Sequence, residues 1–117
     1  MGNEEFAQAL AGQNVVQISY VMSKNGKRRT IPVWFTVDGG RIQLLPMYGL
    51  KTKWFQDIEK SGTVDLLAGK RRLSAAPMII KDSVRVEQIQ SLFARKYGSV
   101  DVKRYYPTSE VAFEIPL

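Results

Sequence analysis

Hydrophobic and polar residues alternate over most of the chain. Val16, Ile18, Tyr20 and Met22 share one face of an extended segment, with Gln17 and Ser19 on the other, the period of a half-buried strand. Asn25-Gly26 follows, a strong hairpin signal. The next strand is expected from Arg28 to Asp38: Ile31, Val33, Phe35 and Val37 form an apolar face, and Thr30, Pro32, Trp34 and Thr36 occupy the other. Asp38-Gly39-Gly40 turns the chain into a third strand over Arg41–Met47. Val64, Leu66 and Ala68 alternate in a fourth, Leu73–Ile80 forms a fifth, and Val111, Phe113, Ile115 and Leu117 alternate in the last.

The helical signals are fewer. Asn3 is placed to cap a short helix through Leu10, with Glu4 and Glu5 at its positive end. Thr52 is placed to cap a second through Lys60, which turns Trp54, Phe55 and Ile58 inward and stops at Gly62. Asp82 or Ser83 starts a third, in which Val86, Ile89, Phe93 and Tyr97 form one stripe ended by Gly98. Short hairpins favour antiparallel pairing. The expectation is a mainly β (α+β) fold: a six-stranded antiparallel split β-barrel with three short helices, one domain over residues 1–117. A flat α+β sandwich is the alternative.

Composition narrows the chemistry. Among its 117 residues the chain has no cysteine and no histidine. Disulfides, thiolate or imidazole metal ligands and Ser-His-Asp or Cys-His machinery are therefore excluded. Reactivity must come from carboxylates, lysine, tyrosine, hydroxyls, the backbone or a bound cofactor. With 17 Lys+Arg against 11 Asp+Glu the net charge is +6, which suits either an anionic partner or simple solubility. No basic leader precedes an apolar run, the start lacks the serine or threonine of a myristoylation signal, and no segment is long and apolar enough to span a membrane. A cytoplasmic location is expected.

The run Ser23-Lys24-Asn25-Gly26-Lys27-Arg28-Arg29-Thr30-Ile31-Pro32-Val33, followed by an Asp-Gly turn and then Trp54-Phe55-Gln56-Asp57-Ile58, resembles the deazaflavin-dependent nitroreductase family. This family belongs to the split-barrel flavoproteins, alongside the FMN proteins related to pyridoxamine-phosphate oxidase. The closing strand to Pro116-Leu117 is similar as well, so the likeness spans residues 15–117. Lys51-Thr52-Lys53 is similar to the Lys-x-Arg of the FMN relatives. The loop from Gly49 to Lys53 is shorter than in the deazaflavin members and lacks their proline. The resemblance implies an oxidoreductase in which a bound ring carries the hydride: coenzyme F420, with FMN as the alternative. It also implies a small-molecule substrate of the unsaturated or nitro type and a homodimer.

Residues for such a site can be named. Lys51 and Lys53 open a helix, where free N–H groups and cations together form an anion site; otherwise they are two solvated lysines. Arg28 and Arg29 point to opposite faces, and the resemblance singles out Arg29 for a phosphate; otherwise they are a basic hairpin tip. Thr30, Ile31, Pro32 and Val33 would present a strand edge to the ring, with Pro46, Met47 and Tyr48 beside it and Thr52 between the lysines. Trp34 and Met47 read primarily as packing, and Tyr97 as core. Tyr105 and Tyr106 are candidate substrate contacts. No pair of carboxylates has the layout of a glycosidase or metal site, and none, Asp57 included, is assigned a catalytic role. Basic runs at Lys27–Arg29, Lys70–Arg72 and Lys103-Arg104 leave nucleic-acid binding as a further, less favoured reading.

Overall fold

The computed structural model describes residues 4–106 and 110–117. Eight strands form two antiparallel four-stranded sheets. The first has the order β2 (Arg28–Val33), β1 (Val16–Val21), β5 (Val64–Ala68), β6 (Arg71–Ala75); the second runs β3 (Thr36–Asp38), β4 (Arg41–Leu44), β8 (Ala112–Pro116), β7 (Met78–Ile80). The edge strands of one sheet continue into those of the other, β2 into β3 and β6 into β7, with two residues between them in each case. Followed round these joints, the strand order closes on itself.

Two of the six expected strands are therefore each divided. The apolar alternation through Ile31, Val33, Phe35 and Val37 does not survive the joint: Phe35 and Thr36 are both buried, while Val37 is 47% exposed. The side chains change faces because the chain changes sheets between Val33 and Thr36. At the second joint Pro77 lacks the N–H that a continuous ladder requires. The helices also exceed the expected three. Besides α1 (Glu4–Leu10), α2 (Lys53–Ser61) and α3 (Ser83–Tyr97) there is α4 (Ser99–Tyr105), where irregular chain was expected, and a 3-10 turn at Gly49–Lys51. Gly98, at φ 96°, stops α3 and lets α4 start in a new direction, which buries Val102. The capping role assigned to Asn3 lies outside the described residues.

The turns follow the expected chemistry. Gly39 and Gly40 have φ of 60° and 72°, the left-handed pair that a tight hairpin between β3 and β4 needs. Gly62 ends α2 at φ 79°, its N–H donating to the carbonyl of Ile58. Thr52 stands at the N-cap position of α2, but its hydroxyl does not cap. It accepts the Tyr48 N–H at 2.8 Å and so closes the 3-10 turn instead.

Two apolar clusters result. One fills the space between the sheets with Val16, Ile18, Tyr20, Ile42, Leu44, Leu66, Phe113 and Ile115, and receives Phe6 and Leu10 of α1 and Trp54, Phe55 and Ile58 of α2. The other, around Val86, Ile89 and Phe93 of α3, includes Leu45, Val102, Tyr106 and Ala112. Each fully buried side chain of this kind stabilises the fold by roughly 1.5–3 kcal/mol. Among the described residues no helix is long and apolar enough to cross a membrane.

A polar network joins α3 to the second sheet. Glu114 is 1% exposed and lies opposite Gln43 in the β4–β8 register. Arg85 grips it through both carboxylate oxygens, Nε to Oε1 at 3.1 Å and Nη2 to Oε2 at 2.8 Å. The Gln43 amide donates to Oε2 at 2.9 Å and its carbonyl accepts the Thr36 hydroxyl at 2.8 Å. The Arg85 bonds hold the Glu114 carboxyl below its usual range, opposed by burial and supported by Gln43. The folded state thus binds this proton less readily than the unfolded chain. Its stabilisation is complete above the ordinary glutamate value of about 4.3 and disappears as pH falls through the lowered one. Glu114→Gln is expected to cost about 1.5–3 kcal/mol near neutrality and to flatten the acid limb of the stability profile. Urea denaturation at several pH values checks both; equal acid sensitivity in the two proteins would contradict this account.

Candidate functional site

Sheet closure leaves an open cleft of about 490 Å³ at the β2–β3 joint. It is lined by Val15, Ile31, Pro32, Val33 and Trp34 from the β1 and β2 region, Leu45 and Met47 after β4, Trp54 of α2, and Tyr105 and Tyr106 at the end of α4. Of the residues named from sequence, Ile31, Pro32, Val33, Met47, Tyr105 and Tyr106 therefore meet in one cavity. Met47 and Trp34, read primarily as packing, both line it. β2 is an edge strand paired only with β1, so its outer edge carries main-chain groups outside the ladder, and Pro32 removes one N–H from it.

The other named residues do not line the cleft. Arg29 lies two residues before Ile31, on the same face of β2, opposite Tyr20. Its side chain has no hydrogen bond or ion pair among the described residues. Arg28 points the other way, where it donates to the Ser19 hydroxyl at 3.1 Å and stands 3.5 Å from Asp65. Thr30 shares that outer face and is exposed. Pro46 and Thr52 are buried, and Tyr48 is 60% exposed. Lys51 is exposed in the 3-10 turn with no carboxylate within 4 Å among the described residues, and Lys53 begins α2 one residue before the cleft-lining Trp54.

Lys53 is not free. Its ammonium lies 3.4 Å from Oδ1 of Asp57, one helical turn on. Asp57 is 1% exposed; the same Oδ1 accepts the Ser23 hydroxyl at 2.7 Å and the Ser23 N–H at 3.2 Å, which fastens the β1–β2 turn to α2. Its Oδ2 is buried without a hydrogen-bond partner. Burial pushes this carboxyl up, but the two Ser23 bonds and Lys53 more than offset it and leave it below the ordinary range. The sequence gives Asp57 no catalytic role, since no pair of carboxylates has the layout of a glycosidase or metal site; its i,i+4 spacing from Lys53 is the signal for its structural role.

Tyr97 packs against the second core cluster, as its place on the α3 stripe implies, and does more than pack. Its ring stacks on Trp34 at 4.1 Å, and its hydroxyl accepts the Phe35 N–H at 3.0 Å. That hydroxyl faces two acceptors, the carbonyls of Asn14 at 2.7 Å and Phe35 at 2.9 Å. It therefore clasps the joint that forms the cleft wall. Tyr105 meets Trp34 edge-on at 5.5 Å, and Tyr106 lies tilted at 6.0 Å. Burial, aided by nearby Tyr97, holds the Tyr106 phenol far above its ordinary value, so it remains a protonated donor. Its hydroxyl has no hydrogen-bond partner among the described residues.

No family model matches the chain, and no curated protein matches its sequence. Solved structures do match. An F420-H2 dependent reductase (FDR-A) is 18% identical over 88% of this chain and 94% of its own, with a TM-score of 0.67. A structure described as a candidate pyridoxamine 5'-phosphate oxidase from Lactobacillus delbrueckii is 18% identical over 97% and 87%, at 0.64. The haem storage protein HutZ from Vibrio cholerae is 12% identical over 96% and 87%, at 0.72. At these identities the likeness is one of fold, and it includes both kinds of protein that the sequence resembles.

Tyr97→Phe keeps the ring stack and removes the clasp, leaving the Phe35 N–H unsatisfied. The expected cost is about 1–3 kcal/mol, measured by urea denaturation, with faster hydrogen exchange at the Phe35 amide than at the amides of β5. Unchanged exchange at Phe35 would show that the hydroxyl does not hold the joint.

Proposed function

We propose that this chain is a deazaflavin-dependent oxidoreductase that transfers a hydride between coenzyme F420 and a small unsaturated or nitro-type substrate. The observation that carries the reading is the apolar cleft at the β2 edge, with Arg29 two residues before the cleft-lining Ile31 and Lys51 three residues before the cleft-lining Trp54. Its volume lies within the usual range for cofactor and ligand sites, and its walls include the flat groups of Trp34 and Pro32. Likeness to the F420-H2 dependent reductase supports the same reading at the level of fold. Histidine and cysteine, two common haem ligands, are absent, which favours a flavin-type ring over the haem of the third neighbour.

The bound ring supplies the hydride chemistry. The chain supplies the rest. The outer edge of β2 at Thr30–Val33 offers main-chain donors and acceptors to the rim of a planar ring. Pro46, Met47 and Tyr48 bound the opposite side, with Met47 in contact with the cavity. Arg29 and Lys51, both unpaired, bind the anionic part of the cofactor, each charge-assisted contact contributing about 1.5–3 kcal/mol. Lys53 is shared with Asp57 and contributes less, and the buried Thr52 orders the turn that presents the two lysines. Tyr106, with Tyr105 beside it, donates a hydrogen bond to the substrate. The chain acts as a homodimer.

Fluorescence titration with F420 and with FMN tests this reading. Saturable F420 binding with Kd below about 100 µM, roughly −5.5 kcal/mol, is expected. It should weaken at least tenfold in Arg29→Gln and in Lys51→Ala, and less in Lys53→Ala. Preferential FMN binding would reassign the cofactor within the same site. If neither ligand binds, or if the Arg29 variant binds as well as the parent, the proposal fails. The nucleic-acid alternative is less favoured because half of the Lys27–Arg29 and Lys70–Arg72 clusters is already engaged by carboxylates, Arg28 and Arg72 by Asp65 and Arg71 by Glu5.

A further inference from the structure

A second cleft, of about 400 Å³, backs on to the first. The segments Asn14–Val15 and Trp34–Phe35 separate them: Val15 and Trp34 line one side, Asn14 and Phe35 the other. The rest of the second cleft is built from the end of α1, where Ala7, Ala11 and Gly12 leave space that larger side chains would fill, and from Lys96 in the last turn of α3.

Lys96 is the charged group of this lining, and it is held in place. Its Nζ donates to the Phe35 carbonyl at 2.9 Å and lies 3.5 Å from the centre of the Phe35 ring. An ammonium has three donors, so this carbonyl leaves capacity for an anion. Contact with the protein strips water from the ammonium and lowers its pKa, as desolvation of an uncompensated cation does. Among the described residues no carboxylate lies within 4 Å of Lys96. The same holds for Arg95, which borders a smaller hollow of about 240 Å³ on the far side of Lys96. By contrast Arg28, Arg41, Lys53, Arg71, Arg72 and Arg85 all have acidic partners. Lys96 is thus left to the solvent or to a ligand, beside apolar surface from Leu10, Ala11 and Phe35.

We propose that this second cleft binds a small monocarboxylate with an apolar body, the carboxylate on Lys96 and the body against Leu10, Ala11 and Phe35. The site is independent of the cofactor reading, since it lies across the wall from the first cleft and uses none of its residues. Because that wall is pinned by Tyr97, a ligand here presses on the same joint that shapes the first cleft.

Amide chemical-shift mapping of the full chain, with benzoate as probe and neutral benzamide as its uncharged counterpart, tests the site. Benzoate is expected to give saturable shifts at residues 11–14 and at Phe35, with benzamide at least tenfold weaker. Lys96→Met should weaken benzoate about tenfold or more while leaving benzamide unchanged. Ala11→Phe, which retains Lys96 and fills the space, should abolish both, and the amide spectrum of each variant reports whether it is folded. Equal response to the two probes, shifts centred on Ile31–Val33, or full binding in a folded Lys96→Met protein would overturn the proposal, as would a lack of saturation at tens of millimolar.

Discussion

The joint at Trp34–Phe35 is the constraint from which the rest of the architecture follows. A chain that leaves one sheet and enters another within two residues must give up ladder hydrogen bonds there. Buried main-chain groups without partners each cost about 1–3 kcal/mol. Phe35 is 2% exposed, so its N–H and C=O cannot rely on water. One phenol hydroxyl and one ammonium, from consecutive residues of α3, supply what the ladder does not. Tyr97 also reaches the carbonyl of Asn14, so the approach to β1 and the exit from β2 are tied at one atom. The separation of the sheets at this point creates a cleft, and the clasp keeps it a defined shape.

The position of α3 must be secured for that clasp to work, and the securing contact lies at the helix's other end. Tyr97 and Lys96 are in its last turn; Arg85 is in its first. Arg85 holds Glu114 on β8 and also stands 3.4 Å from Asp38 at the end of β3. β3 is therefore held alongside α3 at both ends, Phe35 by Tyr97 and Asp38 by Arg85. A buried carboxylate is costly unless paired and hydrogen-bonded. Here Arg85 and Gln43 occupy both oxygens of Glu114, and Thr36 completes the chain of bonds. The network fixes where α3 sits, and so where its far end meets the cleft wall.

Much of this was legible in the residues. The Asn25-Gly26 and Asp38-Gly39-Gly40 turns, the inward face of α2 and the stripe Val86, Ile89, Phe93 follow from local rules that the structure obeys. What was not legible came from contacts between residues far apart in the chain. An unbroken alternation through Ile31, Val33, Phe35 and Val37 gives no sign that its midpoint changes sheets, because the cause lies 62 residues away at Tyr97. Thr36, Gln43 and Glu114 sit at positions that pattern reading assigns to solvent, and only a helix landing on them makes them interior. Of the six named residues that share the cleft, Ile31, Pro32 and Val33 come from the end of β2 at the joint, Met47 from the chain after β4, and Tyr105 and Tyr106 from the end of α4. The lysines are not among them, since their positions depend on how a 3-10 turn closes through Thr52.

The distribution of charge separates two roles that a net charge of +6 conceals. Several cations near sheet edges and helix starts are engaged: Arg28 and Arg72 converge on Asp65, Lys53 on Asp57 and Arg85 on Glu114. Such pairs position elements and have little attraction left for a ligand. Arg29 and Lys51, close in the chain to residues that line the first cleft, and Lys96, which lines the second, lack such partners among the described residues. Lys24, Lys27, Lys60, Lys70, Lys81, Lys103 and Arg104 also lack an ion-pair partner among the described residues, so the excess positive charge is spread over the surface as well as found near the cavities. In a chain without imidazole or thiol, the chemistry open to such cavities is recognition of anions and of flat apolar groups, with reactivity supplied by what binds.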